Sequence, residues 1–544
     1  MMGTETDLAA TAGSEEAGRV AALRARLGSP MPQDRPWGWL GPLLVTAFGG
    51  WLRFNRLQVP QALVFDETYY AKDAWSILQH GVEWNYVSNA NTLILQGHTT
   101  GLFVPCSGTG CGEYVVQPEL GKLIIAVGEA MFGLDSYGWR FFSAVFGTLA
   151  ILLMCRIARR MTRSTLLGCI AGLLMALDGL EFVLSRTGIL DIFLMFFVLA
   201  AFGCLVNDRD WFRDRLAAAV ARGEGGGTEG PGLQLGFRKW LLAAGIFLGL
   251  AVSTKWIAAW YILGFGGMTV AWDIGARRAV GLPSYVRGAL RHDARWLPVT
   301  FLVVPLAVYL ASWTNWFATS TGYYRNYAQL HGVNIPVISA LYSLYEYHRE
   351  AIIFGLGLRT PHPYQSQPWD WLLITRPVAF FYECYTGPVA NPVHYCPSPY
   401  SGPEWSQEVL AIGTPAIWWG SMLALVFCLG WWLLHRDWRA GAVLLGVLAG
   451  WGPWFPLVSR TKFYYYALEF EPFLILSIVL CLGLILGPAT ASVVRRSVGA
   501  GLVGAYVLCV LLMFWYFYAI LAAKAIPYPE WLSHMWYRVG RGWI

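Results

Sequence analysis

Long apolar runs separated by polar or charged segments recur along most of the 544-residue chain. A helix needs roughly 20 mainly apolar residues to cross the hydrocarbon core of a bilayer. The runs that approach this length, some of them short or with ambiguous boundaries, lie near residues 38–55, 139–158, 164–178, 189–206, 240–254, 257–274, 297–315, 412–434, 440–458, 472–488 and 498–520. The pattern predicts an all-α polytopic membrane protein with about 11 transmembrane helices.

The composition supports this fold class. Hydrophobic residues make up 56% of the chain and charged residues 13%, which is about half the charged share of a soluble protein. A soluble surface cannot be covered at that charge density, so soluble enzymes, disordered proteins and nucleic-acid binders are excluded. The 28 Trp and 27 Tyr are typical of amphipathic rings placed at lipid–water boundaries.

A further apolar segment at 120–133 could be another span or a helix on the membrane surface, and the distribution of charge decides between the two. If the N-terminus is cytoplasmic and 120–133 does not cross, the arginine clusters fall in inner loops, as the positive-inside rule requires. Counting it as a span would place those clusters outside. In the topology in which 120–133 does not cross, the inner cations are Arg156, Arg159, Arg160, Arg163, Arg277, Arg278, Arg287, Arg291, Arg295, Arg436, Arg439, Arg495 and Arg496.

This topology predicts a multi-pass plasma-membrane protein with its N-terminus cytoplasmic and two extracytoplasmic loop caps. Both caps are too polar and too rich in Pro and Gly to be buried in lipid. The predicted order is a cytoplasmic polar tail (1–36), a first transmembrane helix (37–56), an outer loop with amphipathic helices (57–138), transmembrane helices 2–7 (139–315), a large outer loop (316–411), transmembrane helices 8–11 (412–520) and an extracytoplasmic tail (521–544).

Four cysteines fall in the predicted outer loops, in two closely spaced pairs. Such spacing in an oxidising compartment is typical of disulfides, here Cys106–Cys111 and Cys384–Cys396. Four free thiols are the alternative. Zinc is disfavoured because no histidine pair stands at ligand spacing, and we expect no metal site, although a dependence on a divalent metal stays possible.

Asp66 and Glu67 are adjacent carboxylates about ten residues after the first predicted span. One could act as a base while the other positions a substrate, which makes both candidate catalytic residues. Helix capping or solvation is the alternative for such a pair. The substrate-pocket candidate Asp178 has the same capping alternative.

Several cations gather at the same predicted depth, the outer interface, and lipid-headgroup snorkelling is their alternative role. Acids and cations together suit sugar transfer from a lipid phosphate to a hydroxyl, since the leaving phosphate needs cations and the hydroxyl needs a base. Arginine binds phosphate strongly through charge-assisted hydrogen bonds. The candidate donor-phosphate ligands are Arg140, Lys122, Arg186, Arg460 and Lys462.

The chain resembles the protein O-mannosyltransferase family, in its actinobacterial form, over nearly its whole length. The motifs that carry the resemblance, in the family's order, are FDETYYAKDAW (65–75), QPELGKLIIAVGEAMFG (117–133), YGWRFFSAVFGTLA (137–150), LDGLEFVLSRTGILDIFLMFF (177–197), TKW (254–256), WDWLLITRPVAFFYE (369–383) and FYYYALEFEPFL (463–474).

The resemblance implies a GT-C glycosyltransferase. It further implies a polyprenyl-phosphate-mannose donor, Ser/Thr acceptors on secreted polypeptides emerging from the Sec translocon, and inversion at the sugar. By motif position it makes Asp66 the base, Glu67 an acidic neighbour near the acceptor and Arg140 a ligand of the donor phosphate.

Two motif positions depart from the family. Gln117 stands where the family has His, and Tyr465, a substrate-pocket candidate, stands where it often has His. The large outer loop has no room for the β-trefoil MIR domains of eukaryotic members.

Other function classes stay open at this point. A related GT-C enzyme could use another lipid-linked sugar, or a glycan or lipid acceptor. A transporter or flippase would place ionisable residues at mid-span and often carry paired repeats, whereas here the charge gathers at span ends. A non-catalytic translocon-associated scaffold would leave the clustered acids and cations unexplained.

Overall fold

The computed structural model describes residues 17–28, 30–34, 36–106, 110–224, 233, 235–386, 393–394, 404–488, 490–537 and 543. Within these residues the chain is mainly helical. Residues 17–27 form a helix that precedes the apolar runs. The helices that follow are α1 (Trp37–Phe54), α2 (Glu67–His80), α3 (Ala90–Leu95), α4 (Leu120–Phe132), α5 (Ser136–Thr162), α6 (Thr165–Ala176), α7 (Gly179–Leu184), α8 (Asp191–Ala221), α9 (Lys239–Val252), α10 (Ala259–Ala279), α11 (Tyr285–Gly288), α12 (Val304–Ser312), α13 (Thr314–Ala318), α14 (Tyr327–Leu330), α15 (Ile338–Gly357), α16 (Pro368–Trp371), α17 (Pro415–His435), α18 (Trp438–Trp451), α19 (Glu471–Leu486), α20 (Val493–Leu521) and α21 (Tyr528–His534).

Each apolar run of the sequence coincides with a helix or a continuous series of helical turns. Among the described residues, six helical stretches are long and apolar enough to cross a membrane, including Tyr285–Ser312, in which π and 3-10 turns join α11 to α12. Shorter apolar helices lie at α6, α9 and α19. A multi-pass membrane protein follows from these helices, whereas the number of crossings and their direction stay predictions.

Local sequence explains where several helices begin and end. Asp135 and Ser164 accept hydrogen bonds from backbone N–H groups at the starts of α5 and α6, as N-cap residues do. Gly81 ends α2 in a left-handed conformation (φ 80°) that glycine adopts without steric cost. Helix α8 packs against α5, α9 and α10 and is almost entirely buried, so it forms the centre of the helical core.

The segment at 120–133 is helix α4, whose 13 residues extend about 20 Å, short of the roughly 30 Å hydrocarbon core. Lys122 and Glu129 lie on its buried face, whereas Val127 and Met131 are exposed. This two-sided helix fits the surface placement that the charge pattern predicts. In the same loop Cys106 and Cys111 form the predicted disulfide.

A small antiparallel sheet, which the sequence did not predict, accompanies the mainly helical fold. Strands β1 (Val378–Thr386), β2 (Val393–His394), β3 (Trp405–Ala411) and β4 (Ile526–Pro527) form it in the order β2-β1-β3-β4. Its strands come from the segment predicted to be the large outer loop and from the segment after α20. The pairing of β3 with β4 is so distant in sequence that it leaves no local signal. Cys384 lies in β1, but its predicted partner Cys396 is outside the described residues.

Candidate active site

Asp66 lies at the end of a turn that leads into α2, with its carboxylate only partly buried. The preceding residue, Phe65, has a positive φ of 47°, a conformation that costs energy for a side chain of this size and is found at functional sites. The Phe65 ring stacks on Phe380 of β1 at 4.8 Å between centroids. The Tyr465 hydroxyl donates a hydrogen bond of 3.2 Å to Asp66 Oδ2. The strained turn therefore presents the carboxylate to residues that are far away in sequence.

Burial raises the pKa of Asp66 to about 6. The positive charge of Lys255 and the hydrogen bond from Tyr465 act against this shift, whereas the negative charge of Asp191 adds to it. A carboxylate with a pKa near 6 is mostly ionised at neutral pH and is more basic than an exposed aspartate, whose pKa is about 3.9. Asp66 thus has the properties of a general base.

Lys255 is the cation beside Asp66. Its ammonium group donates to Asp191 Oδ2 at 2.7 Å and lies 5.3 Å from the centre of the Tyr466 ring. Lys255 and Asp191 are both buried, at 8% and 0% exposure. The second Asp191 oxygen, Oδ1, has no hydrogen-bond partner among the described residues. The sequence alone left Lys255 out of the phosphate ligands, although the TKW motif contains it.

A cavity of about 800 Å³ opens next to Lys255 between α10, α15 and α18. We call it the Lys255 cavity. Its polar lining residues are Gln117, Lys255, Arg460, Tyr466 and Glu469, and most of the rest of its wall is apolar. The apolar lining residues include Trp256, Trp260, Leu263, Ile352, Leu356, Leu448 and Trp454. Several of these side chains are exposed at the surface of the helices, where lipid would contact them.

Glu67 and Arg140 form a buried ion pair. The Arg140 guanidinium donates to both Glu67 oxygens, at 2.7 and 2.8 Å. Glu67 also accepts from the backbone N–H groups of Val64 and Gly188, and Arg140 donates to the carbonyls of residues 57, 60 and 62. Both side chains are buried, at 0% and 1% exposure, and together they fix the turn that carries Asp66. The acceptor role of Glu67 and the phosphate role of Arg140 stay predictions.

Three other candidates also have structural contacts. Lys122 pairs with Glu83 and Glu119 within the segment 57–138. Arg186 donates to four carbonyls at the end of α1, those of residues 52, 53, 55 and 56. Asp178 caps α7 and accepts from the indole of Trp418 at 2.9 Å. The capping alternative therefore describes the contacts of Asp178, and the substrate roles of all three residues stay predictions.

Arg460 and Lys462, the two C-terminal candidates for phosphate binding, differ in their surroundings. Arg460 donates to the carbonyl of Gly355 at 2.6 Å and lines the Lys255 cavity, so it can still reach a ligand there. Lys462 is fully buried and donates to the carbonyl of Leu457, which favours a structural role over the predicted phosphate role. Tyr465, predicted in the substrate pocket, lies against Asp66. Among the described residues no cluster of three or more His, Cys, Asp or Glu could hold a metal ion.

Comparison with known proteins identifies the family. A family model described as dolichyl-phosphate-mannose-protein mannosyltransferase matches residues 43–319, and one for the C-terminal four-TMM region of protein-O-mannosyltransferase matches residues 340–539. The chain belongs to the protein O-mannosyltransferase family. It is therefore a glycosyltransferase, and the family resemblance found in the sequence is confirmed.

Curated relatives match across nearly the whole chain. A polyprenol-phosphate-mannose–protein mannosyltransferase of Mycolicibacterium smegmatis is 38% identical over 93% of both chains. Proteins of the same name from Mycobacterium tuberculosis, 37% identical over 93% of this chain and 92% of the relative, and Corynebacterium glutamicum, 32% identical over 96% and 97%, also match.

A solved structure confirms the fold. The Saccharomyces cerevisiae protein O-mannosyltransferase Pmt1–Pmt2 complex bound to the sugar donor aligns with a TM-score of 0.66 at 15% identity, over 96% of this chain and 94% of the matched chain. The chain thus has the GT-C fold predicted from the sequence.

Proposed function

We propose that this protein transfers mannose from polyprenyl-phosphate-mannose to Ser or Thr hydroxyls of secreted polypeptides. The observation that carries the proposal is that Asp66 feels the charge of Lys255, and that Lys255 lines the polar end of a largely apolar cavity. The names of the bacterial relatives support the donor and the protein acceptor. The Pmt1–Pmt2 structure, described as bound to the sugar donor, supports the same class of reaction.

The Lys255 cavity fits a lipid-linked sugar phosphate. The polyprenyl chain would lie along the exposed apolar wall, because burying apolar surface is favourable by about 25 cal/mol per Å². The phosphate would lie between Lys255 and Arg460, the two cations at the polar end. Charge-assisted hydrogen bonds of this kind are short and strong where water is excluded.

Asp66 would remove the proton from the acceptor hydroxyl. The hydroxyl oxygen forms a bond to C1 of mannose, the bond from C1 to the phosphate oxygen breaks, and the proton passes to Asp66. The electron pair of the broken bond stays on the phosphate, which leaves as a stable anion next to Lys255 and needs no general acid. One displacement from the face opposite the phosphate inverts the configuration at C1.

The side of the membrane and the partners follow from the charge distribution and the family. The repeated arginine bias supports a cytoplasmic N-terminus and an extracytoplasmic active site in the plasma membrane. Acceptors reaching that face would arrive through the Sec translocon. Labelling a cysteine introduced at position 160 with an impermeant reagent in intact cells would contradict this orientation.

The activity can be tested with purified protein, radiolabelled polyprenyl-phosphate-mannose and a Thr/Pro-rich peptide. We expect label in the peptide, lost on treatment that releases O-linked mannose. Label that appears only in lipid or glycan would favour the alternative GT-C enzyme, and a protein that binds the donor without transferring the sugar would contradict the enzyme.

The phosphate site has its own test. Lys255→Met and Arg460→Met should each raise the donor KM about 10- to 100-fold, which is the loss of one charge-assisted hydrogen bond of about 1.5–3 kcal/mol. Arg349→Gln is the matched control, because Arg349 is an exposed cation of α15 paired with Glu346. Unchanged donor KM in both variants would remove these two residues from the site without affecting the assignment of Asp66.

A further inference from the structure

A second cavity, of about 1410 Å³, opens at the far end of α10 and α18 from Asp66. We call it the Arg209 cavity. The Lys255 cavity begins at the start of α10, whereas the Arg209 cavity extends to Gly275 near its end. The 21 residues of α10 cover about 30 Å. The two polar ends therefore lie on opposite sides of the helical bundle.

The Arg209 cavity is basic at its polar end. Its lining cations are Arg163, Arg209, Arg213, Arg436 and Arg439. The lining carboxylate is Asp437, and it is already bound by Arg439 at 2.6 Å. Asp210 nearby accepts from Arg160 and Arg163, at 3.0 Å each. The remaining positive charge is not balanced by the described side chains around the cavity.

Arg209 is the clearest unsatisfied group. It is 5% exposed, its Nε has no hydrogen-bond partner among the described residues, and its nearest carboxylate contact is 3.5 Å long, to Asp210. Its guanidinium lies 3.6 Å from the ring of Trp438. The Nε of Arg213, which also lines the cavity, has no partner in the described part of the chain either.

Another buried arginine, Arg238, shows that incomplete pairing is not a general property of buried arginines in this fold. Arg238 has the same exposure of 5%, but it pairs with Asp208 and with Asp273, the latter at 2.6 Å. A buried charge that is incompletely paired is costly, and the carboxylate contact of Arg209 is the 3.5 Å one to Asp210, which Arg160 and Arg163 also bind. The difference indicates that an anion completes the environment of Arg209.

The other wall of the Arg209 cavity is apolar and is shared with the Lys255 cavity through Leu263, Gly264, Leu445 and Leu448. Leu263 is 68% exposed and Leu448 is 64% exposed. Exposed leucines on helices of a membrane protein face lipid chains, so the cavity is open to the membrane along this side. Such a site suits an anion that carries an acyl chain better than a free ion.

We infer that the Arg209 cavity binds an anionic phospholipid, separately from the donor site. The lipid phosphate would accept hydrogen bonds from Arg209 and Arg213, and an acyl chain would lie along Leu429 and Leu444, which line this cavity and not the Lys255 cavity. Tryptophan rings at Trp272, Trp432 and Trp438 provide the amphipathic rim that is typical of lipid–water boundaries. Basic pockets between transmembrane helices bind lipid phosphates in this way.

Native mass spectrometry of the full-length protein in micelles tests the inference. Phosphatidylglycerol should be retained over phosphatidylcholine, and Arg209→Gln/Arg213→Gln should reduce its retention about 10-fold or more with the donor KM unchanged. Arg496→Gln, which removes an exposed arginine of α20, should retain phosphatidylglycerol as the original protein does. Competition with inorganic phosphate shows whether the site prefers a lipid phosphate or a free phosphate ion.

Two results would overturn the inference. These are equal retention of both lipids by the original protein, or competition by millimolar inorganic phosphate as effective as competition by phosphatidylglycerol. If the double variant does not fold, the site can be mapped instead by crosslinking a photoactivatable phosphatidylglycerol to the original protein. Crosslinks should then map to α10 and to residues 429–439, and crosslinks found only elsewhere would equally contradict the site.

Discussion

Asp66 and Glu67 are neighbours in sequence, but they lie in opposite environments. Glu67 is fully buried and its two oxygens accept from Arg140 and from two backbone N–H groups. Asp66 is partly open, accepts a side-chain hydrogen bond from Tyr465, and lies near Lys255. The comparison shows that a reactive carboxylate differs from a structural one by its unused hydrogen-bonding capacity, since residue type and sequence position are nearly the same.

Arg140 and Lys255 differ in the same way, in how much of their hydrogen-bonding capacity is already used. Arg140 is saturated by Glu67 and three carbonyls, whereas Lys255 has one carboxylate partner and borders a cavity. Both regions are needed, because the Glu67–Arg140 pair holds the turn on which Asp66 is presented. The two regions should therefore respond to substitution in different ways.

The largest effect should follow from Asp66→Asn, which keeps the shape and removes the basicity. Turnover should fall by about 10²–10⁴-fold, the usual contribution of a general base, while donor binding and thermal stability persist. Quantitative transfer assays together with a donor-binding measurement check this. Near-normal turnover in a folded, membrane-inserted sample would reject Asp66 as the base.

Arg140→Ala should act on stability first. Removing one partner of a buried pair leaves Glu67 as an uncompensated charge, at a cost of about 3–5 kcal/mol. We expect a lower melting temperature and less folded protein, with any residual folded fraction still binding donor. Glu67→Gln should lower the stability less than Arg140→Ala does. Normal stability of Arg140→Ala together with a selectively raised donor KM would support the prediction that Arg140 binds the donor phosphate.

Tyr465→Phe should have the smallest effect. The hydroxyl stabilises the ionised form of Asp66, so its loss should raise the pKa of Asp66 and move the acid limb of the pH–rate profile to higher pH. The rate at neutral pH should fall only several-fold, because the pKa of Asp66 starts at about 6 and a moderate rise leaves part of the carboxylate ionised at neutral pH. A shift of the acid limb to lower pH would contradict this contact.

The sequence predicted the helices and the family, because apolar runs and ordered motifs are local signals, and the surface placement of α4 stays a prediction. It predicted Asp66 and Tyr465 as site residues through motif position. It could not separate Arg140, Lys122 and Arg186 from Lys255, since which cation is already paired depends on carbonyls and carboxylates that the fold brings together. The sheet was missed for a similar reason, because β3 pairs with Ile526 across more than a hundred residues.

The pH dependence of single-turnover mannose transfer, measured with donor already bound, tests the role of Asp66 most directly. A base must be deprotonated to act, so the rate should be high above the pKa of Asp66, about 6, and fall tenfold per pH unit well below it. In Asp66→Asn the acid limb should disappear along with most of the rate. An acid limb near pH 6 that persists unchanged in Asp66→Asn would show that another group is the base and would contradict the account.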